Sequence, residues 1–144
     1  MTDRSSGQRH DRNALILYGS ETGNTQDVAE DLGRVAERLH FVTRVSEMDL
    51  VEIVGHLISL ARARSWGLLS QNILLRYTVV IFAISTTGQG EFPKNARKFW
   101  KRLLRKRLPP GCLDHVSFTT FGLGDSSYPK YATRFYVYVS ARCS

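Results

Sequence analysis

The stretch Ala14-Leu15-Ile16-Leu17-Tyr18-Gly19-Ser20-Glu21-Thr22-Gly23-Asn24-Thr25 decides the fold. Its first half is a nearly continuous apolar run, too short for a buried helix and suited to a strand covered on both faces. Its second half is a polar turn. A helical pattern follows from about Thr25, with Val28, Leu32, Val35, Ala36 and Leu39 spaced to face inward. Acidic Asp27, Glu30 and Asp31 lie in its early turns, where the helix dipole favours them. Strand, hydroxyl-rich turn and helix in immediate succession form a unit that presents unpaired helix N–H groups to an anion. Ser20, Thr22, Asn24 and Thr25 add side-chain donors, and Gly23 lets the backbone come close to a ligand. No lysine or arginine occurs in this turn, so a phosphate there would be held by hydrogen bonds and the helix end. Taken alone, the turn is equally explained as a well-capped helix start.

Outward from this unit the alternation continues. Phe41–Val45 alternates apolar and polar, as a more exposed strand does, and Thr78–Ile84 is another strand of the buried type. A helix is expected from about Asn95 to Leu108, with Phe99, Trp100, Leu103 and Leu104 inward, and Pro109-Pro110-Gly111 stops it. Val116–Phe121 reads as a further strand. The pattern blurs over residues 52–75, which read as a short helix or an irregular excursion. Residues 1–13 read as a flexible leader, and residues 14–144 as one domain. The expected class is α/β, a doubly wound, mostly parallel sheet with helices on both faces.

Three of the strands run directly into loops of small polar residues: Ser20–Thr25, then Ser85-Thr86-Thr87-Gly88-Gln89-Gly90, then Gly122-Leu123-Gly124-Asp125-Ser126-Ser127-Tyr128. In a parallel sheet these carboxyl ends share one edge, where ligands of such folds bind. The second loop offers small residues and open amides suited to a flat ring. In the third, Tyr128 could stack on a planar heterocycle while Asp125 and nearby amides bind its polar edge. Alternatively Tyr128 is an ordinary rim tyrosine. A nucleoside-triphosphate loop is excluded, because G-x-x-x-x-G-K-[ST] is absent, and Ser127 stands where a dinucleotide fingerprint needs its third glycine.

Length and composition set the outer bounds. At 144 residues, 42% hydrophobic and 23% charged, the chain suits a single packed domain and is too short for a flavin domain plus a nicotinamide domain. No apolar run approaches the roughly 18 residues that span a bilayer, and no membrane partner is expected. Cys112 and Cys143 form no C-x-x-C pair, and His10, His40, His56 and His115 are scattered, so neither a disulfide framework nor a metal site is expected. The cytoplasm is the expected compartment. The formal net charge is +7, and seven basic residues fall between Arg97 and Arg107. That run is either a docking patch for an anionic partner or one solvated helix face. A basic module binding nucleic acid or an acidic protein would leave the three loops unexplained, so no nucleic-acid partner is expected.

The three loops together resemble the flavin mononucleotide (FMN) loops of the flavodoxin-like domain in the NADPH-dependent diflavin oxidoreductase family, which serves cytosolic iron–sulfur protein assembly. Family members similarly follow the second loop with a Pro and an Asn and then a Phe-Trp helix, as Pro93, Asn95, Phe99 and Trp100 do. The resemblance covers roughly Ala14 to Lys130. It implies that Ser20, Glu21, Thr22, Gly23, Asn24 and Thr25 hold the ribityl phosphate. It implies that Ser85, Thr86, Thr87 and Gly88 line the ring and ribityl chain. Leu123, Gly124, Asp125, Ser126, Ser127 and Tyr128 would flank the isoalloxazine, with Tyr128 stacked on it. It assigns no side-chain acid, base or nucleophile. In the family NADPH reduces FAD in a second module, and electrons reach an iron–sulfur protein acceptor singly through FMN. FAD and NADPH therefore belong to the full-length protein, and the partners implied are that reductase module and the acceptor.

Three departures from the family pattern stand out. Thr87 occupies a position where many diflavin reductases carry an aromatic, and the Thr-Thr-Gly form found here instead resembles that of the iron–sulfur branch. The connection near Val54–Asn72 is longer than the family's, and its mixed composition fits a retained intron read in frame. After Lys130 the chain diverges, so the last strand and helix of the fold are expected to be missing. A marginal fold, weak FMN binding or both would follow from the exposed edge and face. Two alternatives within this frame are a stand-alone flavodoxin-type carrier and an inactive fragment.

Overall fold

The computed structural model describes residues 12–51, 73–104 and 116–124. Four strands form one parallel sheet: β1 (Asn13–Gly19), β2 (Val42–Glu47), β3 (Val79–Ser85) and β4 (Phe118–Leu123), in the order β2-β1-β3-β4. From β1 the chain moves out to β2, then crosses back to β3 on the other side. The strand order therefore reverses between β1 and β3, the topological switch point of such sheets. β1 is central, which is why Ala14–Gly19 is buried throughout and reads as unbroken apolar sequence. Among the described residues β2 lies beside β1 alone, and its burial alternates at its start as its sequence does. The expected α/β parallel architecture is the one observed. β1 starts at Asn13, one residue into the expected leader, because Asn13 exchanges hydrogen bonds with Thr78.

Side chains alternate across the sheet. Ile16 and Tyr18 of β1 and Ala83 of β3 pack with Ala29 on one face, under α1 (Asn24–Arg38). Leu15 and Leu17, with Val80, Phe82 and Ile84, face the opposite side and meet Phe99 and Leu103 of α2 (Arg97–Leu103). Phe82 lies 5.8 Å from Phe99 and 6.2 Å from Phe118 between ring centres, so the α2 layer carries an aromatic cluster. The two layers complete the doubly wound arrangement.

Both helices differ in detail from the expectation. The buried stripe of α1 is Thr25, Ala29, Gly33 and Ala36, whereas Val35 is 49% and Leu39 57% exposed. Small residues win because the helix lies close: a β-carbon at Gly33 would stand 3.1 Å from Val45 Cγ2. Large side chains on that stripe would hold α1 off the sheet. The second helix is preceded by a 3-10 turn, Lys94–Ala96, and Leu104 follows α2 at 42% exposed instead of facing inward. The start of α2 is fixed by a distant side chain. Asp49 Oδ1, in the turn after β2, accepts the Phe99 N–H at 2.8 Å, while Arg102 donates to the Val51 carbonyl at 2.9 Å. Arg97, Lys98 and Lys101 are exposed. The 52–72 part of the atypical connection, residues 1–11, the basic residues Arg105–Arg107 and everything from Asp125 onward lie outside the described residues. So do the expected missing strand and helix.

Candidate functional site

The carboxyl ends of β1, β3 and β4 are level. Gly19 pairs with Ile84 and Ser85 with Leu123, and the Thr86 N–H continues the ladder to the Leu123 carbonyl at 3.0 Å. The three polar loops therefore start on one rim, beside the switch point.

The first loop is folded around one hydroxyl. Ser20 Oγ accepts the N–H of Gly23 at 2.9 Å and of Thr25 at 3.3 Å. Gly23 carries φ 96, a left-handed conformation that disfavours any β-carbon, and its carbonyl opens the helix by accepting the Asp27 N–H. Thr22 and Asn24 are exposed at the rim. Thr25 is fully buried, and its Oγ1 has no hydrogen-bond partner among the described residues. A buried hydroxyl left in that state costs about 1–3 kcal/mol, and an unsatisfied one at a helix start calls for an acceptor. Glu21 is turned elsewhere: its carboxylate accepts the Lys94 N–H at 3.0 Å and pairs with Lys94 Nζ at 3.5 Å. The Lys94 N–H, helped by its ammonium, holds the Glu21 carboxyl below its ordinary value. Glu21 thus anchors the loop and offers the rim no free charge.

The second loop is a tight hairpin. Ser85 Oγ donates to the Gly19 carbonyl at 3.3 Å, tying it to the first loop. The Thr87 and Glu91 backbones bond to each other, and Thr87 Oγ1 donates to the Glu91 carbonyl at 3.1 Å. The amides of Thr86, Thr87 and Gly90 are all engaged by backbone carbonyls, so the expected row of open amides is only partly available. Gly88 is exposed at the tip. In the third loop, Leu123 is half-buried and Gly124 exposed. Asp125, Ser126, Ser127 and Tyr128 lie outside the described residues. The structure thus brings Ser20–Thr25, Ser85–Gly88 and Leu123–Gly124 to one edge.

Two features escaped the sequence reading. Asn95 Oδ1 accepts the Ser20 N–H at 2.9 Å. Beside the second loop, an open groove of about 500 Å³ is lined by Glu91, Phe92, Arg97, Trp100 and Lys101, with the Phe92 and Trp100 rings 4.5 Å apart. Its Arg97 and Lys101 belong to the basic run already read as a docking patch or a solvated helix face, but nothing in the sequence placed Phe92 beside Trp100.

Residues 16–138 match the sequence model of the family described as Flavodoxin. The chain belongs to the flavodoxin family. It is 55% identical over 121 residues to the NADPH-dependent diflavin oxidoreductase 1 of Gibberella zeae, covering 84% of this chain and 17% of that protein. It is 52% identical over 131 residues to the protein of the same name from Aspergillus fumigatus, covering 91% and 18%. The chain thus spans about one sixth of the length of these curated relatives. Among solved structures, oxidised flavodoxin 1 of Bacillus cereus superposes with a TM-score of 0.62 at 20% identity, over 90% of this chain and 76% of that one, which bears on the fold. Among the described residues, no helix is long and apolar enough to cross a membrane.

FMN is the cofactor of this family, and the first loop fits its phosphate end. The orphaned Thr25 hydroxyl, the hydroxyls of Ser20 and Thr22 and the Asn24 amide form a neutral donor set at a helix start.

Proposed function

We propose that this chain is the FMN-binding electron-transfer domain of an NADPH-dependent diflavin reductase. In that role it takes electrons from an FAD/NADPH module and passes them singly to an iron–sulfur protein during cluster assembly in the cytoplasm. The observation that carries the reading is that the loops rich in hydroxyl and glycine residues after β1, β3 and β4 all start from one rim of the sheet. The similarity to proteins named NADPH-dependent diflavin oxidoreductase 1 supports the assignment of the wider reaction.

FMN, when bound, supplies the one-electron chemistry. The residues of the chain bind and orient. Ser20, Thr22, Asn24 and Thr25 hold the phosphate by hydrogen bonds, with Gly23 permitting the turn and Glu21 anchoring it. Ser85, Thr86, Thr87 and Gly88 border the ring and ribityl chain. Leu123 to Tyr128 flank the ring, with Tyr128 stacked on it. No side chain is required to act as acid, base or nucleophile.

The test is to purify the chain, add FMN, and record its visible spectrum and fluorescence. Retained, quenched flavin is expected, and its absence would remove the reading. Tyr128→Ala should weaken binding by about 1–3 kcal/mol, by analogy with base stacking on aromatic side chains. An unchanged dissociation constant would take Tyr128 out of the site. Adding an FAD/NADPH module should then permit NADPH-dependent reduction of an iron–sulfur protein, and failure of that step alone would limit the function to FMN binding.

A further inference from the structure

We propose that Asn95 is a positioning residue for the phosphate end of the flavin. Its side chain holds the Ser20 N–H and so fixes the first rim loop against the turn that follows the second loop. The proposal rests on the reading of Ser20–Thr25 as the phosphate loop.

Three consecutive residues of the 3-10 turn grip three consecutive residues at the end of β1, in reverse order. Ala96 lies against Gly19, where an added β-carbon would stand 2.7 Å from Ala96 Cβ. Asn95 Oδ1 accepts the Ser20 N–H at 2.9 Å. Lys94 donates its N–H to Glu21 at 3.0 Å and pairs with it through Nζ at 3.5 Å. The small-residue contact at Gly19 and Ala96 brings the two backbones close enough for the Asn95 side chain to reach. Pro93 sets the entry to the turn with φ −56 and ψ 153.

Asn95 consequently decides where Ser20 stands, and Ser20 in turn gathers the Gly23 and Thr25 amides. A carboxamide does this without adding negative charge beside a phosphate. A carboxylate at this position could accept the same N–H, but it would repel a doubly charged ligand. The requirement is therefore for a neutral acceptor, a property of asparagine that neither alanine nor aspartate shares.

The experiment compares FMN with riboflavin, which lacks the phosphate, on the full 144-residue chain and its Asn95→Ala and Asn95→Asp variants. Dissociation constants come from fluorescence quenching, and hydrogen exchange is followed at the Ser20 amide. In Asn95→Ala, FMN affinity should fall about tenfold, as for one lost polar contact. Riboflavin affinity should stay within about twofold, and the Ser20 amide should exchange faster. In Asn95→Asp, amide protection should return while FMN remains weakened, and the deficit should shrink as salt is raised. Unchanged FMN affinity in Asn95→Ala would overturn the proposal, as would equal losses for FMN and riboflavin. A parent chain that binds FMN no more tightly than riboflavin would instead overturn the phosphate-loop reading itself. Should Asn95→Ala fail to fold by circular dichroism, the salt-dependent FMN deficit of Asn95→Asp decides the matter alone.

Discussion

Thr25 and Gly19 carry opposite kinds of constraint. Thr25 buries a hydroxyl without a partner among the described residues, which serves a ligand better than it serves the fold. Thr25→Val should therefore raise the stability of the ligand-free chain by about 1 kcal/mol and weaken FMN by about 1.5–3 kcal/mol. Denaturant titration and flavin quenching would read the two signs separately. Gly19 leaves no room for a β-carbon against Ala96. Gly19→Ala should cost about 1–3 kcal/mol through overpacking, measured as a lower denaturation midpoint. Glu21 adds a pH dependence. Its carboxyl is held below its ordinary value of 4.5 by the Lys94 N–H and ammonium. Because the folded value is the lower one, its stabilising contribution is complete above 4.5 and disappears as pH falls through the folded value. The parent chain should lose more thermal stability between neutral pH and acid than Glu21→Gln does. Of these residues, Thr25 was recognisable as a donor in a hydroxyl-rich turn following an apolar run, whereas Glu21, expected on the phosphate from the resemblance, has its carboxylate paired with Lys94. The pairing of Ser20 with Asn95 was not, since its partners are 75 residues apart and only the packing at Gly19 brings them together.

At the scale of elements, the strands were the most legible part. β1 and β3 lie between neighbours and under both helical layers, so burial on two faces writes an unbroken apolar run into their sequences. The helices were legible in place and less so in orientation. For α1, of the expected inward residues Val28, Leu32, Val35, Ala36 and Leu39, Ala36 is buried and Leu32 packs against the core, while Val35 and Leu39 are exposed and the sheet takes Ala29 and Gly33 instead. Periodicity reports that a helix has a face, while the distance to the sheet decides which residues fill it. For α2, the anchor is Asp49, supplied from the turn after β2, and no local pattern announces it. Asp49→Ala should destabilise the chain by about 0.5–2 kcal/mol, the ordinary cost of losing a helix-start acceptor. The check is urea denaturation, with exchange at the Phe99 amide rising in step.

For the molecule as a whole, ligand and stability should be linked. FMN at one hundred times its dissociation constant should stabilise the folded chain by about 2.7 kcal/mol. A thermal melt with and without FMN would show this as a raised midpoint, and a high midpoint indifferent to FMN would contradict the linkage. The doubly wound architecture was predictable because its elements alternate in order. The exposure of Phe121 on β4, at 46%, was not, since it depends on what covers that side of the sheet.

The parallel register of β1 with β3 has a kinetic corollary. Asn13 meets Thr78 across 65 residues, and Ser85 meets Gly19 across 66. Parallel neighbours cannot be joined by a two-residue hairpin, so each such pairing requires closing a long stretch of polypeptide first. The nascent protein must therefore complete its slow, non-local steps before the coenzyme has anywhere to lodge. Flavin capture is accordingly expected after folding, and added FMN should leave the refolding rate unchanged in stopped-flow measurements.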